Sequence, residues 1–162
     1  MKDKHKQAYM KCCHAFAECS DDERLQVGSV IVKNNRIISC GYNAHTEHIT
    51  APNQLPDGTT DPRVRHSEKN ALMGLIKSNE NAVGATMLCT HACCYFCAID
   101  IVDAGIKHFI YESEYRSDEG IKHYTKVISS EWLDVIYQKV EVLIFWFAEY
   151  RIKVKLSVKF IT

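Results

Sequence analysis

Three side chains of types that bind zinc stand in two short stretches of the sequence. His66 begins the first stretch, and Cys94 and Cys97 form a C-x-x-C pair further along the chain. Zn²⁺ prefers imidazole and thiolate ligands, and a catalytic zinc usually has three protein ligands and one position open to water. The residue types and spacing therefore predict a catalytic zinc site with His66, Cys94 and Cys97 as its ligands.

Glu68 follows His66 by two residues and falls in the first turn of a predicted helix. From that position its carboxylate can approach water at the metal without becoming a ligand. Zinc brings the pKa of bound water toward neutrality, and a carboxylate can take up the released proton and deliver it elsewhere. We therefore expect Glu68 to act as the general acid and base.

The two stretches match the known signature of zinc-dependent nucleobase deaminases, H-x-E followed by P-C-x-x-C, with one departure. Cys93 occupies the position of the proline. Proline suits the first position of a helix, so its replacement should loosen the site without abolishing it. Cys93 could also compete as a ligand, although C-x-x-C is the commoner ligand spacing.

The cysteine pair allows two other interpretations. A C-x-x-C pair can be a redox centre or half of a structural zinc ribbon. A ribbon needs a second C-x-x-C, which the sequence lacks. A redox pair leaves His66 and Glu68 without a role, so the catalytic metal site is the preferred interpretation.

The elements that must position these residues follow from hydrophobic periodicity. Helical spacing predicts helices at 4–18, 66–78, 94–104, 118–126 and 129–136. Apolar and β-branched runs predict strands at 27–33, 36–41, 85–90, 106–111 and 139–147. The Asn34-Asn35 turn predicts a hairpin between the first two strands. A helical crossover makes the third and fourth strands parallel, and ligands collect at the carboxyl ends of such strands.

These elements predict an α/β protein with three α/β/α layers and a mixed five-stranded central sheet. We expect a single domain over residues 1–162, in which 147–162 form a divergent C-terminal extension. Residues 152–160 alternate between apolar and polar side chains and predict an additional edge strand, whose lysines would oppose aggregation.

The composition bears on partners and location. The 162 residues include 20 basic and 20 acidic side chains. This balance favours a small substrate over long nucleic acid, which usually requires a basic surface. Residues 1–6 lead into no signal-peptide pattern and no apolar run reaches membrane-spanning length, so we expect a cytoplasmic protein without a membrane partner.

The segment 44–65 contains all three prolines and predicts a long loop, a feature that is often functional. His45 and His48, with Glu47 between them, allow a second metal site. The alternative is that both are solvated loop histidines, because no cysteine within the loop could anchor a structural zinc.

Across about residues 5–140, the chain resembles the deoxycytidylate deaminase branch of the zinc cytidine deaminase superfamily. The resemblance is carried by RLQVGSVIV at 24–32, GYN at 41–43, HSEKNAL at 66–72, and residues 84–107 around the cysteine pair. The zinc motifs are shared across the superfamily, whereas the first two segments favour a nucleoside monophosphate as substrate.

The resemblance implies a cytidine-deaminase-like fold and zinc-dependent hydrolysis of dCMP to dUMP and ammonia, in the deoxynucleotide metabolism that supplies dTMP synthesis. It also implies a homo-oligomer, usually a hexamer regulated by dCTP and dTTP. Ala44 stands where the family has glycine. The alternatives are a related deaminase acting on dCTP, free cytidine or tRNA adenosine, and a zinc-binding regulatory protein without activity. The presence of Glu68 argues against the last of these.

The resemblance supports Asn43, at a predicted strand end, as a ligand of the sugar or base. A charged 5′-phosphate favours arginine, whose guanidinium matches it with two hydrogen bonds. The candidates for contact with the nucleotide are Arg24 and Arg116, with Tyr115 and Tyr111 nearby and Arg63 and Arg65 as lesser candidates. Each arginine could instead be an ordinary surface charge.

Overall fold

The computed structural model describes residues 1–46, 49 and 51–129, and Met1–Lys126 form one compact unit. The helices are α1 (Asp3–Ala17), α2 (Ser67–Ile76) and α3 (Tyr95–Asp103), and residues 119–129 are also helical. The strands are β1 (Gly28–Lys33), β2 (Arg36–Tyr42), β3 (Thr86–His91) and β4 (His108–Ser113). Among the described residues, no helix has both the length and the apolar content needed to cross a membrane.

The four strands form one mixed sheet in the order β2-β1-β3-β4. Strand β1 is antiparallel to both β2 and β3, whereas β3 and β4 are parallel. The α/β class, the mixed sheet and the parallel crossover are therefore confirmed. The predicted fifth strand at 139–147 and the edge strand at 152–160 lie outside the described residues, and the single domain over 1–162 stays a prediction.

The hairpin between β1 and β2 is confirmed. Asn34 and Asn35 have φ angles of 52° and 59°, in the left-handed region that a tight two-residue hairpin turn requires and that asparagine tolerates. Strand β4 differs from the prediction, because it continues to Ser113, which pairs with His91 of β3. The observed helix at 119–129 covers most of the helix predicted at 118–126 and continues to the first residue of the one predicted at 129–136, whose other residues lie outside the described ones.

Side chains alternate between the two faces of the sheet. Val30, Val32 and Leu88 pack against Cys13 of α1 on one face. On the other face, the Ser39 hydroxyl donates a hydrogen bond to the Ala71 carbonyl of α2 at 2.6 Å. Helices α2 and α3 pack against each other, so the sheet lies between α1 and the α2–α3 layer.

Helix α2 approaches β2 closely at Gly41. A Cβ atom at that position would lie 2.3 Å from the carbonyl oxygen of Ser67 and 2.4 Å from the backbone nitrogen of Ala71. Only a residue without a side chain permits this approach. The contact places the first turn of α2, which carries Glu68, at the end of β2.

Replacement of Gly41 by Ala is expected to lower the free energy of unfolding by about 2–3 kcal/mol, because the new methyl group overlaps backbone atoms that cannot move independently. Urea denaturation measures this change. Gly74→Ala in helix α2 is a matched control, since its Cβ would meet only the Ser39 side chain, and we expect a loss of at most about 1 kcal/mol. Equal losses in the two variants would contradict the importance of the Gly41 contact.

Candidate active site

Two helix N-termini bring the predicted metal ligands together. His66 immediately precedes α2, Cys94 immediately precedes α3, and Cys97 lies in the first turn of α3. The His66 Nδ1 atom is 3.5 Å from the Sγ atoms of both Cys94 and Cys97. Zinc bonds of ordinary length at a tetrahedral angle give a nitrogen-to-sulfur distance of about 3.6 Å. The three side chains therefore fit a tetrahedral metal ion of the zinc type.

Electrostatics within the cluster favours one thiolate. A hydrogen bond with Cys97 lowers the pKa of Cys94 to about 4, while the same contact and burial raise the pKa of the Cys97 thiol. A hydrogen bond with Cys94 raises the pKa of His66. Because metal ligands must be deprotonated, a cation entering this site would displace the proton of the Cys97 thiol and would favour the neutral imidazole of His66.

Cys93 does not belong to the ligand group, although it is adjacent in sequence. The group that the described residues form consists of His66, Cys94 and Cys97. The Cys93 side chain is fully buried, and burial raises the pKa of its thiol to about 12. The alternative in which Cys93 is a ligand therefore has no support in this arrangement.

The Glu68 carboxyl group lies beside the cluster in a buried environment. Only 4% of the residue is exposed, and burial raises the pKa of its carboxyl group. The hydroxyl group of Ser67 donates a hydrogen bond to Glu68 Oε2 at 2.9 Å. A buried carboxyl group with a raised pKa is suited to accepting and returning a proton near neutral pH.

A cavity of about 500 Å³ lies against these groups, a size that suits a small ligand. Its wall includes His66, Glu68 and Cys94. Four of the five predicted nucleotide contacts also line it, namely Arg24, Asn43, Tyr115 and Arg116. One bound molecule could therefore contact His66, Cys94 and these side chains at the same time.

The Asn43 amide group is used within the protein. Its Oδ1 accepts a hydrogen bond from the Val27 backbone nitrogen at 2.7 Å, and its Nδ2 donates to the Leu25 carbonyl at 2.9 Å. These bonds tie the end of β2 to the segment that leads into β1. The amide group keeps one hydrogen and one lone pair for a ligand, so contact with the sugar or base stays a prediction.

Arg24 connects the cavity to the long loop. Its Nη1 donates to the Gly58 carbonyl at 2.9 Å, and its Nη2 contacts the Thr60 hydroxyl. The backbone nitrogen of Arg24 donates to Asp22 Oδ1 at 2.9 Å, which fixes the start of this segment. Each terminal nitrogen carries a second hydrogen, so the guanidinium group can still bind an anion.

The segment after β4 presents the second arginine. The Arg116 guanidinium carbon lies 5.3 Å from the centre of the Tyr115 ring, within the range of a cation–π interaction. The Tyr111 hydroxyl donates to Glu114 Oε1 at 3.3 Å. Glu114 lines the cavity, whereas Tyr111 is not among the described residues that line it. Tyr111 therefore contributes to ligand binding at most indirectly.

The two lesser arginine candidates lie elsewhere. Arg63 and Arg65 line a separate depression outside the main cavity. Arg63 also forms an ion pair with Asp61, with Nη2 2.6 Å from Oδ2, and its hydrogen bonds lower the pKa of Asp61 to about 2. Arg63 therefore stabilises the loop, and the depression that it lines reaches His66, Cys94 and Cys97 from outside the main cavity.

The second metal site suggested for the loop is only partly described. The His45 Nε2 atom is 3.1 Å from the Pro52 carbonyl oxygen and 4.0 Å from Asp61 Oδ2. Glu47 and His48 lie outside the described residues. Among the residues that are described, His45 belongs to no group of metal-binding type.

Several polar residues of the cavity wall were missed by the sequence analysis. They are Asp22, Thr60, Ser67, His91 and Glu114. They come from segments that are distant in sequence, and no spacing pattern links them. For Ser67, its position between His66 and Glu68 was the one available signal.

Comparison with known proteins supports the resemblance. The sequence model described as "Cytidine and deoxycytidylate deaminase zinc-binding region" matches residues 3–113. Deoxycytidylate deaminase of Saccharomyces cerevisiae is 32% identical over 126 residues, which cover 68% of this chain. Deoxycytidylate deaminase of Mycobacterium phage D29 is 34% identical over 114 residues, which cover 62% of this chain and 88% of the phage protein. The chain spans only 38% of the length of the yeast relative.

One solved structure matches this chain in its three-dimensional fold. The structure of dCMP deaminase from the cyanophage S-TIM5, in complex with dCMP and dUMP, has a TM-score of 0.76 and 38% sequence identity to this chain. The match covers 78% of this chain and 93% of the phage chain. The fold is therefore shared over nearly the whole of that protein.

Proposed function

Because this chain belongs to the family of cytidine and deoxycytidylate deaminases, we propose that it hydrolyses dCMP to dUMP and ammonia. The observation that carries the proposal is the convergence of His66, Cys94 and Cys97 beside the buried Glu68 carboxyl group. The names of the yeast and phage relatives, and the nucleotides bound in the phage structure, support the choice of dCMP.

We propose Zn²⁺ as the cofactor, held by His66, Cys94 and Cys97. One imidazole and two sulfur ligands are a donor set that favours zinc over Mg²⁺ or Ca²⁺, which prefer oxygen ligands. When bound, zinc supplies the Lewis acidity that makes water a nucleophile near neutral pH.

Glu68 carries the proton transfers in this proposal. Its carboxylate accepts a proton from the attacking water and delivers it to N3 of cytosine, which makes C4 more electrophilic. A C4–O bond forms, and Glu68 then transfers the remaining proton of the added hydroxyl group to the amino group. The C4–N bond breaks as the C4=O bond forms, and the amino group leaves as ammonia. The burial that raises the pKa of Glu68 supports both directions of transfer.

Arg24 and Arg116 are the proposed ligands of the 5′-phosphate, and Tyr115 holds the Arg116 side chain in place. Asn43 is the proposed contact to the sugar or base. Tyr111 is proposed to contribute indirectly, by a hydrogen bond that holds Glu114 in the cavity wall. Arginine is suited to this role because its planar guanidinium group can bind two phosphate oxygens.

Arg24→Ala and Arg116→Ala are each expected to raise the KM for dCMP by about tenfold or more, which corresponds to the loss of a hydrogen bond to a charged group. The KM for deoxycytidine, which has no phosphate, should change less. Steady-state kinetics on both substrates measures the difference. The matched control is Arg36→Ala, because Arg36 is exposed on the hairpin and pairs with Glu80. An unchanged KM for dCMP in both cavity variants would contradict the phosphate assignment.

A substrate panel tests the function itself. Purified protein with zinc is given deoxycytidine, dCMP, dCTP or a tRNA anticodon stem, and ammonia release is followed. We expect the highest kcat/KM with dCMP. A preference for another substrate would replace this proposal with a related deaminase, and the absence of turnover on all of them would favour a zinc-binding regulatory protein.

We further propose a homo-oligomer, with a hexamer as the arrangement that the family implies. Light scattering coupled to size-exclusion chromatography measures the mass, and repeating the kinetics with dCTP and dTTP tests regulation. A monomer at the concentration of the activity assay would contradict the oligomer. The cytoplasmic location stays a prediction.

A further inference from the structure

Ser67 lies between a proposed metal ligand and the proposed general acid and base, and its hydroxyl group contacts two other side chains. Residues Ser67 and Cys89 are both fully buried. Ser67 Oγ is 2.9 Å from Glu68 Oε2 and 3.6 Å from the Sγ atom of Cys89 on β3. Three buried side chains therefore form a hydrogen-bonded chain from the centre of the sheet to the Glu68 carboxyl group.

The donor and acceptor of each hydrogen bond in this series follow from the chemistry of the three side chains. The Ser67 hydroxyl group donates to Glu68 Oε2, and this bond uses its single hydrogen. The thiol of Cys89 must then donate to Ser67 Oγ. Burial raises the pKa of Cys89 well above its usual value, so this thiol keeps the hydrogen that it donates.

The carboxyl group needs such a contact because a glutamate side chain has three rotatable bonds. Proton transfer requires donor and acceptor atoms at hydrogen-bonding distance in a fixed orientation. Within the part of the chain that the structure describes, Ser67 is the side chain that donates to Glu68. Cys89 belongs to β3, an inner strand of the sheet, so these hydrogen bonds connect the carboxyl group to the buried sheet.

We propose that Ser67, held by Cys89, is a positioning residue that fixes the Glu68 carboxyl group for proton transfer. The inference rests on the proposed function, in which Glu68 is the general acid and base. It assigns Ser67 a role in turnover, as distinct from substrate binding or metal binding.

The kinetic test replaces Ser67 by Ala in the zinc-loaded protein. We expect kcat for dCMP to fall about 30-fold, while KM and zinc content stay within about twofold of the unaltered protein. Ser39→Ala is the matched control, because it also removes a serine hydroxyl that bonds to α2, without contact to Glu68. It should leave kcat within about twofold. An unchanged kcat in Ser67→Ala, or equal losses in the two variants, would overturn the proposal.

The contribution of Cys89 is tested by adding Cys89→Ala to both backgrounds. If Cys89 acts through Ser67, Cys89→Ala should lower kcat about fivefold when Ser67 is present and less than twofold in Ser67→Ala. A double-mutant cycle separates this coupling from the general effect of a smaller core residue. The same fold-change in both backgrounds would remove Cys89 from the proposal.

A second readout does not depend on activity. Urea denaturation of Ser67→Ala, Glu68→Ala and the double variant should show a coupling of about tenfold in the folding equilibrium constant. The matched cycle of Ser39→Ala with Glu68→Ala should be additive. If the protein does not deaminate dCMP but the coupling is present, the proposed function fails and the contact stands. If it deaminates dCMP and neither kcat nor stability shows the coupling, the positioning role fails.

Discussion

Replacement of Glu68 by Gln is expected to reduce kcat for dCMP by about 10⁴-fold and leave zinc bound. General acid–base catalysis contributes about 10²–10⁴-fold, and the upper end applies because one carboxyl group serves both proton uptake and proton delivery. Glutamine has nearly the same shape and can still accept the Ser67 hydrogen bond, so the change removes the titrating group and little else.

Ammonia release and zinc content by mass spectrometry measure the two parts of this prediction. Glu80→Gln is the matched control, since Glu80 is a glutamate whose carboxylate pairs with Arg36 at the surface. It should retain full activity. Turnover by Glu68→Gln within tenfold of the unaltered protein would exclude Glu68 as the general acid and base.

Cys97→Ala is expected to abolish both stoichiometric zinc binding and detectable deamination. Removal of one of three protein ligands leaves an incomplete coordination shell, and without the metal the pKa of the attacking water stays at its high value in bulk solvent. Chelation of zinc from the unaltered protein should have the same effect on activity, and added Zn²⁺ should restore it.

The adjacent cysteine provides the control for this prediction. Cys93→Ala also removes a buried sulfur, but Cys93 is not in the ligand group. We expect Cys93→Ala to keep one zinc per chain and to lose about 1–2 kcal/mol of stability, because a small cavity replaces the sulfur. Loss of zinc from Cys93→Ala with retention in Cys97→Ala would reverse the ligand assignment.

The sequence alone predicted most elements of the described fold and the cluster in which His66, Cys94 and Cys97 lie together. Hydrophobic periodicity and turn residues act over a few neighbouring positions, so α1, the β1–β2 hairpin and the β3–α3–β4 crossover could all be inferred locally. The cluster was predictable for a related reason. The short motifs around His66 and Cys97 each begin a helix, and a metal ion accepts only a few ligand types.

The tertiary structure decided which side chains surround the cavity and what their polar groups contact. Ser67 meets Cys89 from 22 positions away, and Arg24 meets Thr60 from 36 positions away. The tertiary structure also decided that Arg63 and Arg65 do not line the main cavity. Such contacts depend on how α2 and the long loop pack against the sheet, and sequence spacing carries no signal for packing between distant segments.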